Sequence, residues 1–238
     1  MKKGIVSLIK AILFDIDNTL LDFDGYVKES LKEGFAEFGL GEYNDGVYRV
    51  FEEINTELWH RIELGTLSYE ELMRIRWNTV FSALGIEYDG VKFEKYFKGR
   101  LFDSGIKVKG AEEILEYLSG RYILAAASNG PYLQQENRLR ISGLDRFFSH
   151  VFVSESIGYS KPKKEFFEHC AEALNKYAAK PLLPCEIMMI GDSLTSDIRG
   201  AKDMGYLTCY FDKRGIGDPE NITPDYVIKE LSRLKEIL

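Results

Sequence analysis

Two carboxylates one residue apart, in Asp15-Ile16-Asp17-Asn18-Thr19, follow directly on the apolar run Ala11-Ile12-Leu13-Phe14. Like charges this close raise each other's pKa unless a cation neutralises them, and a hard, oxygen-preferring ion such as magnesium suits the pair. Asp also ends strands and bonds its own backbone, so the pair alone is equally readable as a turn. Three later segments add to it. Tyr122-Ile-Leu-Ala-Ala-Ala-Ser128-Asn129-Gly130 ends in a hydroxyl, an amide and a glycine; Tyr159-Ser160-Lys161-Pro162 carries a cation; Glu186-Ile-Met-Met-Ile-Gly191-Asp192-Ser193 brings Asp192 to the end of its apolar run, with Asp197 beyond it.

Each segment has a plain structural reading. Lys161 before a proline reads as a solvated loop charge. Asp192 reads as a cap for the helix that Ser193 to Asp197 begins, a role compatible with metal binding. Ser128-Asn129-Gly130-Pro131 reads as a turn. The joint occurrence of all four at predicted strand ends points instead to a phosphate site. A carboxylate nucleophile approaching a phosphate dianion needs cations around it, because unit charges about 4 Å apart repel by roughly 4 kcal/mol at an effective dielectric near 20. Magnesium and the compact Lys161 ammonium would cancel that repulsion. Ser128 and the backbone N–H groups around Asn129 and Gly130 would bond the equatorial phosphate oxygens.

This ordered set resembles the haloacid dehalogenase superfamily, and within it the subfamily I phosphatases with a helical type-one cap. The resemblance implies that Asp15 is the nucleophile and Asp17 the general acid/base, and that Ser128, Asn129, Gly130 and Lys161 bind phosphate. It further implies that Asp15, the main-chain carbonyl of Asp17 and Asp192 hold Mg2+, with Asp197 supporting the ion from outside the ligand set. The implied reaction is hydrolysis of a small phosphate monoester, of the nucleotide or sugar phosphate class, through an aspartyl-phosphate on Asp15. A phosphomutase uses the same intermediate. A 2-haloacid dehalogenase generally lacks the second aspartate and needs no magnesium, whereas Asp17 and Asp192 are both present here. A non-enzymatic scaffold would be expected to carry a broken motif, and none is broken.

Positioning these residues requires strands near 10–14, 122–128, 150–154, 187–191, 207–211 and 226–228 with helices between them. That alternation predicts an α/β fold: a Rossmann-like parallel-sheet core with helices on both faces. Between the first two motifs the pattern turns helical. Val47, Val50, Phe51, Ile54 and Leu58, then Leu72, Ile75, Arg76 and Val80, recur at helical spacing. Gly39-Leu40-Gly41, Gly65-Thr66 and Gly85-Ile86 divide the stretch into four helices, one opened by the capping box Ser68-Tyr-Glu-Glu71. The expected organisation is a catalytic core of 1–23 and 100–238 and a helical-bundle cap of 24–99, which the resemblance places over the site as the chooser of substrate. Within the cap, Asn55 to Thr66 resembles pyrimidine-nucleotidase-like and acylneuraminate-phosphatase-like members. That likeness makes Trp59 and Arg61 candidate specificity residues, Trp59 to stack on a base and Arg61 to bind a second anionic group. Aromatic residues at helical spacing are usually packing, so Trp59 reads first as cap core, with closure against the catalytic core a further alternative to stacking.

With 238 residues, 45% of them hydrophobic, the chain can bury a core without external staples. A formal charge of -7 gives no attraction for nucleic acid or an anionic membrane. The expected partner is a small-molecule phosphate ester, and the expected state a monomer or small homo-oligomer. Cys170, Cys185 and Cys209 lack a paired spacing and read as buried thiols of a reducing compartment. His60, His150 and His169 do not cluster in sequence, which argues against zinc. Met1 to Lys10 superficially resembles a leader, but Lys10 and Asp15 interrupt it, and nowhere do eighteen apolar residues run unbroken. The expectation is a cytoplasmic enzyme.

Overall fold

A computed structural model of the chain describes residues 9–238. Most of the leader-like stretch Met1 to Lys10 therefore lies outside the described residues. The chain divides into two compact units, one running to Asp22 and resuming as Gly105–Leu238, the other Phe23–Ser104.

The first unit is built on a six-stranded, wholly parallel sheet: β1 (Ala11–Phe14), β2 (Ile123–Ser128), β3 (His150–Val153), β4 (Ile187–Gly191), β5 (Leu207–Phe211) and β6 (Tyr226–Ile228), in the order β3-β2-β1-β4-β5-β6. β1 lies inside the sheet, and all four of its residues are buried. Their side chains alternate between the two faces. Ile12 and Phe14 pack with Ile114, Leu115, Leu118 and Leu139, while Ala11 and Leu13 pack with Phe166, Phe167, Cys170 and Leu174. A strand buried on both faces must be apolar at every position, and so the first motif is preceded by an unbroken apolar run.

The four helices of the second unit are α1 (Phe23–Phe38), α2 (Asp45–Glu63), α3 (Tyr69–Leu84) and α4 (Gly90–Phe102). Ser68 opens α3 through a complete capping box with Glu71, and Gly85 closes it in the left-handed region at φ 69°. The unit's core is aromatic. Trp77 is fully buried, stacks on Phe51 at 4.9 Å between centroids and meets Phe93 edge-on at 4.5 Å. Arg76, which the apolar spacing placed on the core stripe of α3, is buried and paired with the equally buried Glu94.

The sheet is flanked by α5 (Ala111–Leu118) and α6 (Tyr132–Ser142) on one face and by α7 (Lys164–Leu174) on the other. Strand order reverses between β1 and β4, and in such sheets ligands bind outside the carboxyl ends at that switch point. One expectation is corrected. Cys170 and Cys209 are buried, but Cys185 is exposed, because it sits in the turn Pro184–Glu186 that leads into β4 rather than on a packed element. Among the described residues, no helix is long and apolar enough to cross a membrane.

Candidate active site

Asp15 is the first residue beyond β1, and its amide still donates to the Ile190 carbonyl at 2.9 Å. This bond fixes the backbone against β4 and leaves the side chain at the sheet tip. Lys161 Nζ donates to Asp15 Oδ1 at 2.6 Å, to Asp197 Oδ1 at 2.6 Å and to the Ala127 carbonyl at 2.7 Å. An ammonium has three hydrogens, and these acceptors use all of them. Burial pushes the Asp15 carboxyl up to about 7 against the pull of Lys161, with Asp197 adding to the rise. Burial alone would lower the Lys161 pKa, but Asp15 and Asp197 outweigh it and hold it above the ordinary lysine value.

The segment carrying Lys161 is tied to the end of β2 at two points. Asn129 Nδ2 donates to the Lys161 carbonyl at 2.9 Å, and the Lys161 amide donates to Asn129 Oδ1 at 2.8 Å. The Asn129 side chain is thus committed to holding Lys161. Ser128, the last residue of β2, is buried, and its Oγ accepts from the Gly130 amide at 3.0 Å and from Gln135 Nε2 at 2.8 Å. The Gly130 N–H, expected to bond a phosphate oxygen, is here engaged by Ser128. A Cβ at 130 would fall 2.5 Å from Gln135 Nε2, so any other residue there would displace the Gln135 amide.

At the end of β4 a Cβ on Gly191 would fall 2.2 Å from Asp197 Oδ2, so only glycine lets the buried Asp197 approach. Asp197 stands on the π-helical turn Leu194–Arg199 and accepts from the Ser193 amide at 3.1 Å. One carboxylate oxygen each from Asp15, Asp192 and Asp197 lies within 4.8 Å of the others. Fully ionised, three carboxylates against one ammonium leave two negative charges in excess, and the donors are all hard oxygens. Both features fit a divalent cation of the magnesium type.

Asp17 is turned elsewhere. Its Oδ1 accepts from Arg138 Nη1 and its Oδ2 from Gln135 Nε2, both at 2.6 Å. Gln135 and Arg138 went unmarked in the sequence. The available signal was their spacing: three residues apart on α6, directly after the Ser128 turn, they share a helix face with the buried Leu139. Trp59 and Arg61 belong to α2 in the other unit. Trp59 is half-buried against Leu58, Leu67 and Leu72, with Tyr69 at 6.0 Å, and the Arg61 carbonyl accepts from Thr66.

Carboxylates, a buried lysine and an oriented hydroxyl thus meet at the switch point of the parallel sheet. Residues 9–205 match the haloacid dehalogenase-like hydrolase family, and the chain belongs to that family. The chain is 32% identical over 229 residues to the HAD-hydrolase YfnB of Bacillus subtilis, covering 96% of this chain and 95% of that protein. The crystal structure of YfnB bound to magnesium superposes with a TM-score of 0.85 over 97% of this chain and 98% of that one, at 32% identity. Pyrimidine 5'-nucleotidase PynA of Streptococcus pneumoniae is 33% identical over 233 residues, covering 96% of this chain and 94% of PynA. Glyceraldehyde 3-phosphate phosphatase of Pyrococcus furiosus is 31% identical over 242 residues, covering 97% of this chain and 93% of the archaeal protein.

Proposed function

We propose that the protein is a magnesium-dependent phosphatase that hydrolyses a small phosphate monoester of the nucleotide or sugar phosphate class through an aspartyl-phosphate on Asp15. The observation that carries this reading is the Asp15 carboxylate held at 2.6 Å by a buried lysine, beside Asp192 and Asp197. The nucleotidase and phosphatase relatives support the ester class, and the magnesium-bound relative supports the metal.

Asp15 attacks phosphorus, the ester P–O bond breaks, and Asp17 gives a proton to the departing alcohol oxygen. Water then attacks the phosphorus of the aspartyl-phosphate, Asp17 takes its proton, and the Asp15–phosphorus bond breaks to release phosphate. Magnesium bound by the Asp15 and Asp192 carboxylates and the Asp17 main-chain carbonyl would supply positive charge against the repulsion between nucleophile and phosphate. Asp197 supports the ion from outside that ligand set, its oxygens near those of Asp15 and Asp192 and accepting from Lys161 and Ser193. Lys161 contributes to phosphate binding as a fixed positive charge, held in place by Asn129. The hydroxyl of Ser128 and the main-chain N–H of Asn129 receive the phosphate oxygens, while the Gly130 N–H acts through Ser128, whose Oγ it already bonds.

The helical unit serves as cap, with Trp59 and Arg61 selecting the ester. The presence of Asp17, able to protonate an alcohol, supports phosphoryl transfer over halide displacement. The enzyme is expected in the cytoplasm, as a monomer or small homo-oligomer. A turnover screen over nucleotides, sugar phosphates and an aryl phosphate, with magnesium and with a chelator, tests the reading. Magnesium-dependent release of phosphate is expected; full activity after exhaustive chelation would reject it.

A further inference from the structure

We propose that Gln135 and Arg138 are positioning residues that together clamp the Asp17 side chain and fix the Ser128 hydroxyl as a hydrogen-bond donor, an inference that rests on the phosphatase reading above. Four bonds from buried Gln135 and Arg138 make up the clamp. The two hydrogens of Gln135 Nε2 go to Ser128 Oγ at 2.8 Å and Asp17 Oδ2 at 2.6 Å. Arg138 Nη1 donates to Gln135 Oε1 at 3.0 Å and to Asp17 Oδ1 at 2.6 Å. The guanidinium therefore fixes which way the amide faces, since turning the amide over would set its oxygen against Ser128 and Asp17, both used here as acceptors.

Two consequences follow from the donor inventory. Ser128 Oγ already accepts from Gly130 and Gln135, which occupies both of its lone pairs, so its proton is left to donate. A dedicated donor suits a phosphate oxygen. Asp17, whose side chain keeps 33% of its exposure, is gripped through both oxygens by groups that are themselves 0% and 1% exposed. A general acid/base has to stand within a fraction of an ångström of its productive position, and rigid supporting groups on a helix supply that constraint. The same amide nitrogen bonds both the phosphate-site hydroxyl and the acid/base, so the two are registered against each other.

The competing account is that Arg138 and Gln135 merely pack α6 on the sheet, and leaving-group dependence separates the two. We expect Arg138→Met to lower kcat on an alkyl phosphate about 10- to 100-fold, with KM within about twofold and an aryl phosphate affected less than about threefold, because a phenolate leaves without a proton. Arg138→Lys, which keeps a cation, should recover part of the loss. In an Asp17→Asn background the same Arg138→Met change should cost almost nothing on the alkyl ester, since a residue acting through Asp17 has nothing left to position. Equal losses on both esters, or an undiminished loss in the Asp17→Asn background, would overturn the assignment. If Arg138→Met does not fold, Arg138→Lys carries the same comparison; Gln135→Met, which also frees Ser128, does not. Absence of magnesium-dependent turnover by the wild type would instead count against the phosphatase reading. Crystal structures then decide the clamp on their own: in Gln135→Met or Arg138→Lys the Asp17 carboxylate should shift or spread over several rotamers, and an unmoved carboxylate contradicts the proposal.

Discussion

Both units of the chain bury a cation against carboxylates, and they do so in opposite ways. In the helical unit, Arg76 gives Nη2 and Nε to the two oxygens of Glu94 at 2.5 and 3.1 Å and Nη1 to Asn55 at 2.9 Å, with the rings of Phe51 and Phe97 beside the guanidinium. One positive charge meets one negative charge. At the sheet tips Lys161 is as fully bonded, yet it faces Asp15 and Asp197 with Asp192 beside them, and negative charge remains in excess. The balanced pair needs nothing further and serves packing. The unbalanced cluster is costly unless a ligand cation completes it, which separates a site from a buried structural ion pair.

The largest expected effect follows from removing the cation of the unbalanced cluster. Lys161→Met leaves Asp15 and Asp197 facing each other without their ammonium, and turnover should fall about a thousandfold or more, as when a preorganised electrostatic group is lost from a catalytic site. Steady-state turnover beside urea denaturation checks it; a folded variant with near-normal turnover would show that the lysine is not needed.

Breaking the balanced pair should act on stability alone. Arg76→Met strands Glu94 among aromatic rings and should cost about 3–5 kcal/mol of folding free energy. The ratio of activities on alkyl and aryl esters should not move. A changed ratio at full stability would assign the helical unit's ion pair a role in the reaction.

The excess charge also has a pH signature. Asp15 is pushed up to about 7 from an ordinary 3.8, so folding favours its neutral form. In chelator, that stabilisation is complete below the unfolded value and is lost as pH rises through about 7, so the melting temperature of the wild type should decline across this window more than that of Asp15→Asn. Added magnesium should flatten the decline. Identical pH profiles for the two proteins in chelator would remove Asp15 as the source.

Trp59→Ala carries the smallest effect. If Trp59 selects the ester, relative efficiency among natural substrates should shift about tenfold, or about 1.4 kcal/mol, with an aryl phosphate affected less. Its contacts with Leu58, Leu67 and Leu72 give the alternative: an unchanged profile with a lowered melting temperature would make it packing alone.

Most of the architecture was legible because buried parallel strands leave unbroken apolar runs and a helical bundle leaves a stripe. The runs ending at Phe14, Ser128 and Gly191 are strand ends, and even Arg76 was placed on the core stripe of α3. The grouping of Asp15, Asp192 and Asp197 was legible because each follows such a run or lies just beyond one; Lys161 does not stand at a strand end, since the helical turn Ser154–Ile157 separates it from β3. Gln135 and Arg138 were not, because a polar side chain on a helix reads as solvent-facing unless its partner is known, and Asp17 is over a hundred residues away in sequence. The commitment of Asn129 to the Lys161 backbone was hidden for the same reason: a long-range bond to main chain leaves no trace in residue type. Cys185 was misplaced because an unpaired spacing argues against a disulfide but does not fix burial, and the turn at Pro184 holds this thiol outside.

The central claim, that Asp15 is the nucleophile of a phosphoryl-transfer site, is tested most directly by trapping the phosphoenzyme. With magnesium present, beryllium trifluoride or a slowly turned-over phosphate ester should yield one adduct, located on the Asp15 carboxylate by crystallography or by mass spectrometry after reductive trapping. Asp15→Asn should fold and form none. An adduct on any other residue, or full turnover by Asp15→Asn, would contradict the account.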